Sequence, residues 1–240
     1  MNGLERVDYR DDATPLTGWL AKPAATARAA ILVLPTIANP TPAVERRAHM
    51  LADAGYLAMI ADFYGPVGEE SQDWQALAAD LRADVDVYRA RLDAALRTLR
   101  DRPEAAGLPL AAIGYCMGGQ AALEIARAGS DIFAAVSFHG LLETGRRAAV
   151  GSRPNARILV CHGDADPLVP RRQVIDFWEE MDAAGANWHF HSYSGVRHGF
   201  TDPGSDARGI SAIAYDASAD RQSWSAMMNL FDELLPAQSA

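Results

Sequence analysis

Long apolar runs, basic clusters and paired cysteines are all missing from this sequence, and each absence removes a class of function. The longest apolar runs, such as AAILVLP, fall far short of the roughly 20 residues that a membrane-spanning helix needs. The first residues, MNGLERVDYRDD, hold no apolar core of the kind a signal peptide carries, so none is expected. Basic residues cluster no further than pairs such as Arg46-Arg47 and Arg171-Arg172, and the formal net charge is −9. That argues against a nucleic-acid partner, whose phosphates call for a concentrated basic face. Cys116 and Cys161, the only cysteines, cannot build a disulfide framework for 240 residues. A reducing, cytoplasmic setting is therefore expected. No repeat, low-complexity segment or Ser/Gly/Pro-rich linker divides the chain, which is short enough to form one domain over residues 1–240.

What the sequence does have is alternation. ERVDYRD and LTGWLAKP read as an opening antiparallel hairpin. ARAAILVLP, YLAMIADF, LAAIGYC, IFAAVSFHG, ARILVCHGD and NWHFHSY read as strands. Between and after them, AVERRAHMLADAG, GGQAALEIARAG, RRQVIDFWEEMDAAG and ADRQSWSAMMNLFDELL read as helices. From Trp74 to Leu99, apolar residues recur in steps of three and four, which predicts one long amphipathic helix. Strands alternating with helices predict an α/β fold, a mostly parallel sheet covered on both faces. Sites in such sheets lie at the carboxyl ends of the strands.

One strand-to-helix junction, Gly114-Tyr115-Cys116-Met117-Gly118, carries a cysteine between closely spaced glycines. This is the form of a nucleophile elbow, in which a sharp turn lifts one side chain above the sheet. At a helix N-terminus the Cys116 thiolate is favoured, and the Met117 backbone N–H can donate to a developing oxyanion. A thiol nucleophile needs a base, and the base an orienting acid, in the chain order nucleophile, acid, histidine. GDADPLVP offers Asp164 and Asp166 just past a strand, and SGVRHGF offers His198 just past the next. Either aspartate can orient the histidine or cap the turn; Pro167, by restricting the backbone of Asp166, favours the latter residue for the orienting role. His139 and His162 end strands on the same predicted face, where they can touch substrate or serve structure. Cys161 reads as a small buried hydrophobe. His189 and His191 alternate on one strand, but no third ligand has a metal-binding spacing, so neither metal nor cofactor is expected.

The segments GYCMGG, HGDADPLVP and GVRHGF, joined by ILVLPTIA, LADAGYLAMIADFYG and AYDASADRQSWSAMMNLFDELL, resemble the dienelactone hydrolase family over nearly the whole chain. The resemblance implies an α/β-hydrolase fold and a Cys116–Asp166–His198 triad that cleaves small esters or lactones through a thioester. It implies an oxyanion hole built from the backbone N–H groups of Met117 and Ile37. Thr36, Tyr64, Arg82, His139 and Phe200 are the substrate-binding candidates. Thr36 stands where the family's type members carry a glutamate that engages the resting thiol. Asp202 stands where they carry a carboxylate-binding arginine. Only 17 residues separate His139 from Arg157, too few for a substantial cap domain. The same scaffold would serve a thioesterase or a general carboxylesterase. A chain lacking a triad member would be a silent binding module, and none is lacking. A monomer or small homo-oligomer acting on a small molecule, away from membranes, is expected.

Overall fold

Ala30–Leu34 is buried at every position, so its side chains alternate between two apolar layers. Ala30, Leu32 and Leu34 enter one core; Ile31 and Val33 enter the other. The computed structural model, which describes Met1 and residues 3–67 and 73–236, places this strand, β3, near the middle of an eight-stranded sheet. At one edge β1 (Glu5–Asp11) and β2 (Thr14–Ala21) form an antiparallel hairpin, and β2 runs antiparallel to β4 (Leu57–Ile60). From β4 the sheet continues parallel through β3, β5 (Leu110–Tyr115), β6 (Ala134–Phe138), β7 (Arg157–Gly163) and β8 (Trp188–Tyr193).

Helices cover both faces. α1 (Pro42–Asp53) and α6 (Ala217–Leu234) close one core with Val44, Leu51, Met227 and Phe231. α2 (Trp74–Ala83), α3 (Val85–Arg100), α4 (Met117–Arg127) and α5 (Arg171–Ala184) close the other with Leu81, Leu92, Ala121 and Phe177. No element is inserted between β6 and β7. This is the α/β-hydrolase fold, with a central mixed sheet and no large cap domain. Among the described residues no helix is long and apolar enough to cross a membrane.

The expected single helix from Trp74 to Leu99 is two helices. Asp84 leaves the helical region (φ −115°, ψ 110°), and its carboxylate accepts from the N–H groups of Asp86 and Val87 at 2.8 and 3.3 Å. A short acidic side chain that can satisfy the orphan donors of a new helix start competes with helix continuation. The apolar spacing passes almost unbroken across the interruption, so periodicity alone does not reveal it. The break ends α2 just past Arg82, whose side chain lines the cavity described below.

Candidate active site

Between β5 and α4 stands a single residue, Cys116, with φ 58° and ψ −117°. Side chains rarely adopt this backbone, and close packing on each side enforces it. A Cβ on Gly114 would overlap the Gly118 carbonyl, and one on Gly118 would overlap the Leu34 carbonyl. The glycines thus let strand, turn and helix approach where no other residue fits. The Cys116 N–H is held by the Phe138 carbonyl at 3.0 Å and by Nδ1 of His139 at 3.2 Å.

Burial pushes the Cys116 thiol toward its neutral form, but neighbouring groups outweigh burial. The neighbouring His198 and the backbone N–H groups of Met117 and Ile37 together hold its pKa below the ordinary 9.0. Cys161 shows the opposite case: sealed within the core, it is pushed up to about 12 by burial.

His198 lies in the loop after β8, its backbone pinned by a bridge to Ile213. Its Nδ1 meets Asp166 Oδ2 at 2.7 Å, and both side chains are buried. A carboxylate at Nδ1 fixes the proton there. The His198 Nε2 has no conventional hydrogen-bond partner among the described residues. Although burial opposes it, the imidazolium is strongly favoured by Asp166 and then Cys116, which raise the pKa from 6.5 to about 10. The other oxygen of Asp166 accepts from Leu168 N–H at 2.8 Å, so Asp166 also braces its own turn. The alternative acid, Asp164, lies at the surface in a two-pronged pair with Arg171 at 3.0 and 2.7 Å. It does not reach His198, and the turn-capping role foreseen for it falls to Asp166.

The loop after β3 carries Ile37 toward the thiol. Its bend is closed by Asn39 N–H donating to Thr36 O at 3.0 Å, with Asn39 at φ 62°. Asn39 Nδ2 donates to Asp62 Oδ1 at 2.7 Å, and Asn39 Oδ1 accepts from Phe63 N–H at 3.0 Å. Asp62, buried at the end of β4, also accepts from the N–H groups of Thr17, Tyr64 and Gly65, each at 2.9 Å. The Tyr64 hydroxyl donates to the Ile37 carbonyl at 3.0 Å and lies 3.3 Å from Met117 Sδ. Asp62 and Asn39 were not foreseen from the sequence. The available signal was an acid directly after the apolar strand LAMIA, at the sheet's carboxyl end.

These groups surround a cavity of about 390 Å³ with a mainly apolar wall, including Leu141, Leu168 and Ile213. Of the foreseen residues, Thr36, Ile37, Arg82, Cys116, Met117, His139 and His198 line it. Arg82 donates to the Ala78 carbonyl at 2.9 Å and to Gln120 Oε1 at 3.4 Å, and makes no ion pair among the described residues. Asp202 is bound by Arg208 at the rim. Two foreseen substrate contacts lie elsewhere. Tyr64 stands behind the Ile37 loop, and Phe200, fully buried, packs edge-on against His139 and Tyr193. Consecutive residues on a bent loop point in different directions, so Phe200 turns inward where His198 turns to the cavity. His139 has both ring nitrogens engaged by protein groups. A larger, shallower groove of about 900 Å³ between β8 and α6 holds His189 and His191 and none of these groups.

A buried His–Asp pair, a thiol on a strained elbow and two backbone N–H groups around the same sulfur, all at the carboxyl ends of a parallel sheet, define a hydrolase site of the α/β-hydrolase class. Within that class the chain belongs to the dienelactone hydrolase family, whose model matches residues 16–235. It is a carboxylic ester or lactone hydrolase. A probable 2-oxo-3-(5-oxofuran-2-ylidene)propanoate lactonase of a Bradyrhizobium species is 28% identical over 218 residues, 85% of this chain and 86% of that protein. The mouse carboxymethylenebutenolidase homolog is 27% identical over 184 residues, 74% of this chain and 72% of its own length. Among solved structures, a dienelactone hydrolase-like promiscuous phosphotriesterase from metagenomic libraries superimposes with a TM-score of 0.88. It is 35% identical, over 97% of this chain and 98% of that one.

Proposed function

We propose that Cys116 is the nucleophile of a thioester mechanism that opens small lactones and cleaves small esters, with His198 as base and acid and Asp166 as its orienting partner. His198 Nε2 takes the thiol proton, and the thiolate attacks the substrate carbonyl carbon. The carbonyl electrons move to oxygen, which accepts from Met117 N–H and Ile37 N–H. Collapse expels the alkoxide, which takes the proton back from His198 Nε2; from a lactone it stays tethered to the acyl group. Water then gives a proton to His198, attacks the thioester and releases the acid, and the thiolate is restored. The observation that carries this reading is convergence: the His198 loop, the Ile37 loop and the N-terminus of α4 at Met117 meet at the Cys116 sulfur. A thiolate is a good leaving group as well as a nucleophile, which suits activated acyl groups such as enol esters and lactones.

The apolar wall and modest volume of the cavity support a small substrate, and Arg82, free of an ion-pair partner among the described residues, supports a carboxylate or another anionic group at one end. The lactonase named above is in keeping with that substrate class. The test is a panel of an enol lactone with and without a carboxylate, an aryl ester, an acyl thioester and a phosphotriester, run on the wild type beside Cys116→Ala. The lactones are expected to give the highest kcat/KM, and Cys116→Ala is expected to lose at least about 10³-fold, as removal of an attacking group does. Activity that survives in Cys116→Ala would refute the mechanism; preference for the thioester would replace the substrate class. In Arg82→Met, KM should rise for the carboxylate-bearing lactone alone.

A further inference from the structure

A second histidine stands against the reacting pair with no nitrogen free to react. The rings of His139 and His198 meet edge to face with centroids 5.1 Å apart. His139 Nδ1 accepts the backbone N–H of Cys116 at 3.2 Å. A backbone N–H can only donate, so that nitrogen carries no proton and the ring hydrogen sits on Nε2. Nε2 in turn donates to Thr201 Oγ1 at 2.9 Å. Thr201 lies three residues beyond His198, in the same loop. Its carbonyl is gripped by Arg46 and Arg47 of α1 at 3.0 and 3.1 Å, and Arg47 is ion-paired with Asp220 of α6. One imidazole thus joins the turn that carries the thiol to the loop that carries the base, and α1 and α6 anchor the far end.

We propose that His139 and Thr201 form a positioning pair that fixes the Cys116 turn relative to the His198 loop. The proposal rests on Cys116 being the nucleophile. The other bond to Cys116 N–H, from the Phe138 carbonyl at 3.0 Å, ties the turn to β6 and leaves the His198 loop untouched. The link needs a neutral imidazole, since protonation of Nδ1 would leave the Cys116 N–H facing another donor. Burial, with the charges of His198, Arg47 and Arg208 around it, keeps His139 neutral. His139 also holds a backbone φ of 42°, unusual for a residue with a side chain, so its position is enforced by the surrounding structure.

The experiment compares Thr201→Val, Thr201→Ser, His139→Asn and the double variant His139→Asn/Thr201→Val, with Cys116→Ala as reference. Thr201→Val keeps the shape and removes the acceptor. His139→Asn keeps an oxygen near Nδ1 and tolerates positive φ, but cannot reach Thr201. Each is expected to lower kcat about tenfold with KM little changed, as a small misplacement of reacting groups does. In each, the pH at which iodoacetamide begins to label Cys116 should move up toward that of an ordinary thiol. Because both substitutions break one link, the double variant should fall no further than either single variant, and Thr201→Ser should recover most of the loss. An unchanged kcat and labelling profile in Thr201→Val, even with a lowered Tm, would reduce the pair to a structural role and overturn the proposal. Losses that multiply in the double variant would overturn it too. His139→Asn carries the same test if Thr201→Val does not fold. If Cys116→Ala stays active, the nucleophile is wrong; the labelling profile still reports on the positioning.

Discussion

Replacing Asp166 by asparagine removes one charge and turns one hydrogen-bond acceptor into a donor, with almost no change in volume. The consequence follows from the state of His198, whose pKa rises from 6.5 to about 10 against the opposition of burial. Each unit is worth 1.36 kcal/mol, so the folded site favours the imidazolium by on the order of 5 kcal/mol. The hydrogen bond to Asp166 is the largest single favourable cause. Its loss therefore weakens the imidazolium and lowers the pKa of His198. Tautomer adds to this. If the asparagine amide turns its N–H toward Nδ1, the ring proton moves to Nε2, where the thiol proton must be accepted. The two effects together predict a fall in kcat of about 10³- to 10⁴-fold.

The pH dependence carries a sign. Wild-type activity should rise as Cys116 ionises below 9.0 and fall as the imidazolium is lost near 10; the two limbs belong to the coupled pair. Without Asp166 the alkaline limb should move down in pH, toward 6.5. The comparison variant is Asp164→Asn, which breaks only the surface pair with Arg171 and should leave kcat intact with a small change in Tm. The assay is kcat against pH for both variants, with thermal melts to show that each is folded. If Asp166→Asn keeps more than about a tenth of the wild-type kcat, or Asp164→Asn is the inactive variant, the reasoning fails.

Three further outcomes are expected. Iodoacetamide should inactivate the protein with one label, on Cys116, while Cys161, fully buried and pushed up to about 12, labels only on unfolding; peptide mapping that finds Cys161 first would reverse the assignment. Gly118→Ala should lower Tm by several degrees, since a Cβ there overlaps backbone carbonyls of the β3 loop and overpacking costs about 1–3 kcal/mol; an unchanged melt would show that the elbow can relax. Asp62→Ala strips an acceptor from four donors, Asn39 Nδ2 and three backbone N–H groups. It should cost several kcal/mol, at about 1–3 kcal/mol for each buried group left unpaired, and any folded fraction should show reduced kcat, because Ile37 is no longer held; wild-type kcat would detach Asp62 from the proposed oxyanion role of the Ile37 loop.

The elements of the site that could be read in the sequence are those whose reason is local. Gly114, Gly118 and Gly119 announce the elbow because a strand, a turn and a helix converge within six residues. Asp166 and His198 are found by the loops they occupy, one strand apart. The hub at Asp62 has no local signature, since its donors come from Thr17, Asn39, Tyr64 and Gly65 on three separate stretches of chain. The helix break at Asp84 hides behind an apolar stripe that crosses it, and only the capping capacity of the aspartate hints at it. Phe200 shares a motif with His198 yet faces the core, a matter of loop direction rather than residue type.

What joins the legible and illegible parts is strand register. Pairing in the parallel sheet sets Leu34 beside Gly114, Tyr115 beside Phe138 and Gly163 beside Tyr193. Those pairs immediately precede the Ile37 loop, the Cys116 turn, His139, Asp166 and the His198 loop. A slip of one residue in any strand would move its loop along the sheet by about 3.3 Å and turn its buried residues to the opposite core. Ile31 and Val33 against Ala30, Leu32 and Leu34 make such a slip costly, since both cores are filled. The apolar alternation that earns the fold its stability is therefore also what aligns five loops around one sulfur. Substitutions deep in β3 or β5 that disturb packing should reach the site through register, without touching any residue that lines it.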